Sequence, residues 1–101
     1  MTIRYTQLAQ KRLNEIFDFV AENNPRAATI LYNKILSEVE ILQHFPQLAA
    51  VEPLLSKYSE TFRSLVVRQH YKVIYFIEDK TIVIATVWDC RQDTIKHKKL
   101  I

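Results

Sequence analysis

Glycine is absent from this chain of 101 residues, where average usage predicts about seven. Only glycine lets a backbone approach phosphate oxygens closely, so loops of the Walker or dinucleotide-binding type cannot form here. Nucleotide-binding folds built on those loops are excluded. Other chemistry is scarce as well. His44, His70 and His97 are far apart and share no ligand spacing with Cys90, so no metal or other cofactor is expected. No Ser-His-Asp or Cys-His arrangement is local enough to mark a nucleophile.

The length suits one domain, residues 1–101, and the apolar share of 49% with 25% charged residues is that of a globular chain rather than a disordered one. The apolar residues are spread out, and none of the runs approaches the roughly 20 residues of a membrane span. Met1-Thr2-Ile3-Arg4-Tyr5 contains no apolar signal region. The single cysteine, Cys90, excludes an internal disulfide and fits a reducing compartment. A cytoplasmic protein is expected.

Hydrophobic periodicity changes once along the chain. After a short alternating start at Ile3 and Tyr5, residues Ala9, Leu13, Ile16, Phe17 and Val20 recur at the helical period and predict a helix over 7–22. Asn23-Asn24-Pro25 stops it. Pro25 suits the first position of a second helix, with Asn24 as its cap. Ala28, Leu31, Ile35, Val39 and Leu42 carry that helix to about residue 43, before Pro46. The short connection makes the pair an antiparallel hairpin. Leu48-Ala49-Ala50-Val51 is a candidate strand that Pro53 confines to an edge, and 55–61 reads as loop. Residues 62–68, 72–77 and 81–88 are rich in Val, Ile, Tyr, Phe and Thr and predict three strands joined by hairpins. Neither turn carries the usual glycine. The expected fold is α+β: a helical hairpin covering one face of a mostly antiparallel, twisted sheet.

Charge is uneven. The first fifty residues balance five basic against five acidic side chains, while residues 51–101 hold nine basic against six acidic. Arg91, Lys96, Lys98 and Lys99 crowd the C-terminal end against Asp93 alone. Such a cationic end reads either as a docking site for an anionic partner or as a solubilising terminus.

Three stretches then fall in order: Phe62-Arg63-Ser64-Leu65-Val66-Val67, Tyr71-Lys72-Val73-Ile74-Tyr75, and Val87-Trp88-Asp89-Cys90-Arg91-Gln92-Asp93. With the Asn24-Pro25 entry, Ala27 two positions on, and the Phe45-Pro46 exit, the chain resembles the RelE/ParE toxin superfamily along nearly its whole length. It departs at Thr94, where the family often has proline, and in lacking a glycine before the first long strand. The resemblance implies a small bacterial toxin of a type II toxin–antitoxin (plasmid stabilisation) system, held inactive by a cognate antitoxin. RelE-like members of the superfamily cut mRNA on the ribosome; ParE-like members inhibit DNA gyrase and are not known as nucleases.

The residues bear on that choice. A metal-free ribonuclease needs a base, an acid and cations that stabilise the phosphorane. Laid on the RelE pattern, Arg63, Lys72 and Arg91 take its basic positions and His97 falls near its C-terminal acid/base residue. Against this, Leu65 stands where that pattern has a second cation. The resulting face suits an amphipathic, partly acidic antitoxin segment better than a phosphate: Arg63, Leu65, Val67, Lys72, Ile74 and Phe76, with Trp88 as a candidate anchor. The alternatives are ordinary roles. Arg63 and Lys72 read equally as cross-strand cations paired with Glu60 or Glu78, and Arg91 as a strand-end ion pair with Asp89 or Asp93. His97 reads as a solvated residue, Trp88 as sheet packing and Cys90 as a passive thiol. The two long helices and the Trp88–Asp93 ending favour the ParE-like branch. Gyrase is then the expected target, with Arg91, Lys96, Lys98 and Lys99 in docking. The alternatives are a ribosome-dependent endoribonuclease and a non-toxic binding relic of the same fold.

Overall fold

Thr6 sets the start of the first helix and ties it to the sheet. In the computed structural model, which describes residues 1–91, its hydroxyl oxygen accepts from the Ala9 N–H at 3.0 Å and donates to the Ala85 carbonyl at 2.8 Å. The cap supplies a partner for one of the helix's orphan amides. Helix α1 spans Gln7–Ala21 and α2 spans Pro25–Ile41. Asn24 caps α2 through the Ala27 N–H at 3.0 Å, with Pro25 at its first position, as the Asn-Pro pair requires. Phe17 meets Tyr32 edge-on across the hairpin, ring centroids 6.0 Å apart.

Five strands form one sheet in the order β1-β5-β4-β3-β2, with β1 Thr2–Tyr5, β2 Ala50–Val51, β3 Arg63–Val67, β4 Tyr71–Glu78 and β5 Thr81–Asp89. The three long strands form the expected antiparallel meander. The start of the chain does more than periodicity over two apolar residues can specify: β1 pairs in parallel with β5, Thr2 opposite Thr81 and Tyr5 opposite Ile84. The register shifts between Ile74 and Tyr75, leaving Ala85 as the extra residue of a bulge. That bulge frees the carbonyl that Thr6 uses.

Both faces of the sheet are covered. On the helical side, Leu13, Leu31, Ile35, Val39 and Leu42 pack on Val67, Val73, Tyr75, Ile82, Ile84 and Val87 in the main core. On the other side, Leu55, Phe62, Ile74, Ala85 and Trp88 form a second cluster that Leu8, Leu54, Tyr58 and Phe76 complete. Residues 55–61, read as loop, are irregular but act as a strap, preceded by a 3₁₀ turn at Pro53–Leu55. Phe62 stacks edge-on with both Tyr58 and Phe76, at 5.9 and 5.4 Å.

Without glycine, the tight turns place other residues at positive φ: Arg68 at 52°, Gln69 at 66° and Asp79 at 56°. Asp tolerates this region. Arg and Gln tolerate it poorly, at roughly 1–2 kcal/mol each.

Candidate functional site

Strand alternation sends neighbouring residues to opposite faces, and this decides where the candidate cations go. Arg63 lies opposite Tyr75 in the register and Leu65 opposite Val73, so Arg63, Leu65 and Val67 are on the helical side. Lys72, Ile74 and Phe76 are on the strapped side, with Lys72 opposite Trp88. The expected single surface of Arg63, Leu65, Val67, Lys72, Ile74, Phe76 and Trp88 is therefore split between two faces. It is also largely covered, since Val67, Ile74 and Trp88 are buried. A continuous apolar–basic groove through those residues does not exist in this fold, because helices close one face and residues 53–62 the other.

Each cation has an internal partner. Arg63 donates to the Ala49 carbonyl at 2.8 Å, and the adjacent Tyr75 hydroxyl donates to the Pro46 carbonyl at 2.8 Å. Together they pin the segment between α2 and β2, and burial pushes the Tyr75 hydroxyl above its ordinary pKa. Lys72 donates to Glu52 at 2.7 Å. The Glu52 side chain is 0% exposed, and its second oxygen accepts from the Leu54 N–H at 3.0 Å. Burial pushes the Glu52 carboxyl up, but hydrogen bonds from Lys72, Leu54 and Ser64, with the Lys72 charge, outweigh it and hold the group below its ordinary value. Glu60 and Glu78 take part in neither contact, so the expected cross-strand pairs are replaced by a carboxylate reached through the strap.

Arg91 grips Asp89 with two parallel hydrogen bonds, Nε to Oδ1 at 2.9 Å and Nη2 to Oδ2 at 2.8 Å. It also reaches the Tyr71 hydroxyl at 3.3 Å and lies over that ring, 5.8 Å from its centre. Hydrogen bonding from Arg91 holds the Asp89 carboxyl below its ordinary value, against the opposing effect of burial. The Arg91 guanidinium is raised in turn. Partial desolvation pushes the Cys90 thiol up, and the Lys72 charge offsets this only in part. That is the environment of a passive thiol. Arg63, Lys72 and Arg91 thus serve three different internal acceptors, with Arg63 and Lys72 on opposite faces of the sheet.

The sequence matches a family model described as the ParE toxin of the type II toxin–antitoxin system, parDE, over residues 3–94. The chain belongs to the ParE toxin family. No curated protein matches it in sequence. Eight solved chains match it in structure. One of them, from the chromosomal ParDE toxin–antitoxin system of P. aeruginosa, superposes with a TM-score of 0.70 at 24% identity, over 86% of this chain and 92% of that one. It shares the fold.

In this ParE-family chain, His97, Lys96, Lys98 and Lys99 lie outside the described residues. Among the described residues, no group of His, Cys, Asp and Glu could hold a metal ion, and no helix is long and apolar enough to cross a membrane. Helical and strand periodicity mark the buried stripes and carry no signal for exposed apolar residues. Phe45, Leu48 and Val51 stand out on the segment between α2 and β3, all more than half exposed; Val66 is equally exposed but lies on the opposite face of the sheet from Val51, which pairs with Arg63. A cavity of about 360 Å³ is lined by residues 44–48. The available signal was Phe45-Pro46 followed by Leu48, apolar residues placed after the helical stripe had ended.

Proposed function

We propose that this ParE-family chain is a growth-inhibiting toxin that acts on DNA gyrase by binding, without cutting RNA, and is neutralised by a cognate antitoxin encoded beside it. The observation that carries this reading is the separation of the three candidate catalytic cations. Phosphorane stabilisation needs donors converging on one oxygen cluster. Here Arg63 serves the Ala49 carbonyl, Lys72 serves Glu52 and Arg91 serves Asp89. The family places the chain in a two-component system, and the exposed Phe45, Leu48 and Val51 supply apolar surface for an amphipathic antitoxin segment. Their apolar contacts give most of the affinity, and acidic residues of the segment mostly raise the association rate of a basic toxin. Both partners of such a chain are cytoplasmic, and the pair would stabilise the replicon that carries it.

Induced expression without the antitoxin tests this in cells. Arrested growth with a DNA-damage response, while pulse-labelled protein synthesis continues, is the expected outcome. Translation arrest as the first event would assign the chain to RNA cleavage, and unimpaired growth would make it a binding relic.

A further inference from the structure

The β3–β4 hairpin tip combines backbone strain with side chains that the fold does not use. Arg68 and Gln69 both hold positive φ, in a connection of three residues between Val67 and Tyr71. Asn suits this region better, and the chain uses it elsewhere, at Asn14, Asn23, Asn24 and Asn33. Arg68, Gln69 and His70 are all exposed. Among the described residues, Arg68 forms no ion pair, and the Arg68 and Gln69 side chains make no hydrogen bond. No ion pair or side-chain hydrogen bond among the described residues offsets the cost of placing these two long polar side chains there.

Position supplies a second observation. The Cys90 N–H donates to the His70 carbonyl at 2.7 Å, so the tip is fastened to the point where the chain leaves the sheet towards its Lys-rich end. Lys72 is neutralised by Glu52 and Arg91 by Asp89, which leaves Arg68, among the described residues, as the cation of the tip with no ion-pair partner. Nucleic-acid binding typically draws on several phosphate contacts; a lone guanidinium flanked by an amide and an imidazole fits a carboxylate on a protein surface.

We infer that Arg68 and Gln69 form a contact site for an acidic patch on the toxin's protein target, distinct from the apolar surface left for the antitoxin. The site deepens the gyrase-binding reading and rests on it. Positive φ is retained at these positions because the side chains are used outside the molecule.

The test is the double variant Arg68→Asn, Gln69→Asn, with Arg68→Gly, Gln69→Gly as a second. Both relieve the backbone and remove the side chains. Three quantities are compared with the unsubstituted toxin: the thermal midpoint, the concentration that half-inhibits gyrase supercoiling, and retention on a short DNA duplex. We expect a midpoint unchanged or several degrees higher, unchanged DNA retention, and a half-inhibiting concentration raised about tenfold or more, as for one lost charge-assisted contact. Unchanged inhibition would overturn the inference, and so would a midpoint lowered in both variants, which would make the side chains part of the fold. Parallel loss of DNA retention would replace the protein partner by nucleic acid. If the unsubstituted toxin leaves supercoiling untouched, the gyrase reading fails. The tip is then judged by growth arrest on induction, which the stable variant should no longer cause; continued arrest would overturn it.

Discussion

Removing Lys72 should destabilise the toxin strongly, and removing Lys72 together with Glu52 should not. The Lys72 side chain is 29% exposed, whereas that of Glu52 is fully buried at 2.7 Å from it. Breaking such a pair from one side costs about 3–5 kcal/mol, because the remaining charge is left in a poorly polarisable site. The Leu54 N–H and Ser64 still serve the carboxylate in Lys72→Met, which sets the expected loss near the lower end, about 3 kcal/mol. For a domain of this size that lowers the thermal midpoint by roughly 10–20 °C. The sign of the pH dependence reverses with the mutation. In the wild type the Glu52 carboxyl lies below its ordinary value of 4.5, so its stabilisation is present above that value and is lost as pH falls through the lower, folded one. In Lys72→Met the hydrogen bond and charge of Lys72 are lost while burial, the largest single cause, remains, so the carboxyl should rise, with the deficit largest at neutral pH and shrinking on acidification. The double variant Glu52→Leu, Lys72→Met removes both charges and should recover most of the midpoint. It should also remain toxic, which a catalytic lysine forbids. Scanning calorimetry from about pH 2 to 8, with growth arrest on induction, checks both halves. A Lys72→Met midpoint within a degree or two of wild type would refute the energetic argument. A stable but harmless double variant would refute the structural role of Lys72.

Asn24→Ala removes the cap of α2 and should cost about 1 kcal/mol, read as a midpoint several degrees lower with toxicity intact at low temperature. Truncation after Asp93 removes Lys96, Lys98 and Lys99. It should weaken growth arrest on induction, the outcome expected if those lysines dock an anionic partner, and unchanged arrest would remove them from docking.

The helical hairpin was legible because its information is local. The stripe from Ala28 to Leu42 and the Asn24-Pro25 pair specify one helix and its start without reference to the rest of the chain. The meander was legible for the same reason, as strand propensity persists over each of the three segments. Strand β1 was not, because two apolar residues carry no periodicity and a parallel partner eighty residues away leaves no local trace. The Lys72 pairing was missed because Glu52 becomes its neighbour only when residues 53–62 fold over the sheet, while Glu78 is nearer in sequence. Alternation groups Arg63 with Leu65 and Val67, and Lys72 with Ile74 and Phe76, but only the strand register sets the two groups on opposite faces. Joining them into one surface was the error, since it treated a sheet covered on both sides as though one side were open.

Purified toxin added in parallel to a gyrase supercoiling reaction and to translating ribosomes tests the central claim most directly. The account predicts inhibition of supercoiling in a dose-dependent manner and intact mRNA on the ribosomes. Codon-positioned cuts in the mRNA with supercoiling untouched would contradict it, and would return Arg63, Lys72, Arg91 and His97 from structural and docking roles to catalysis.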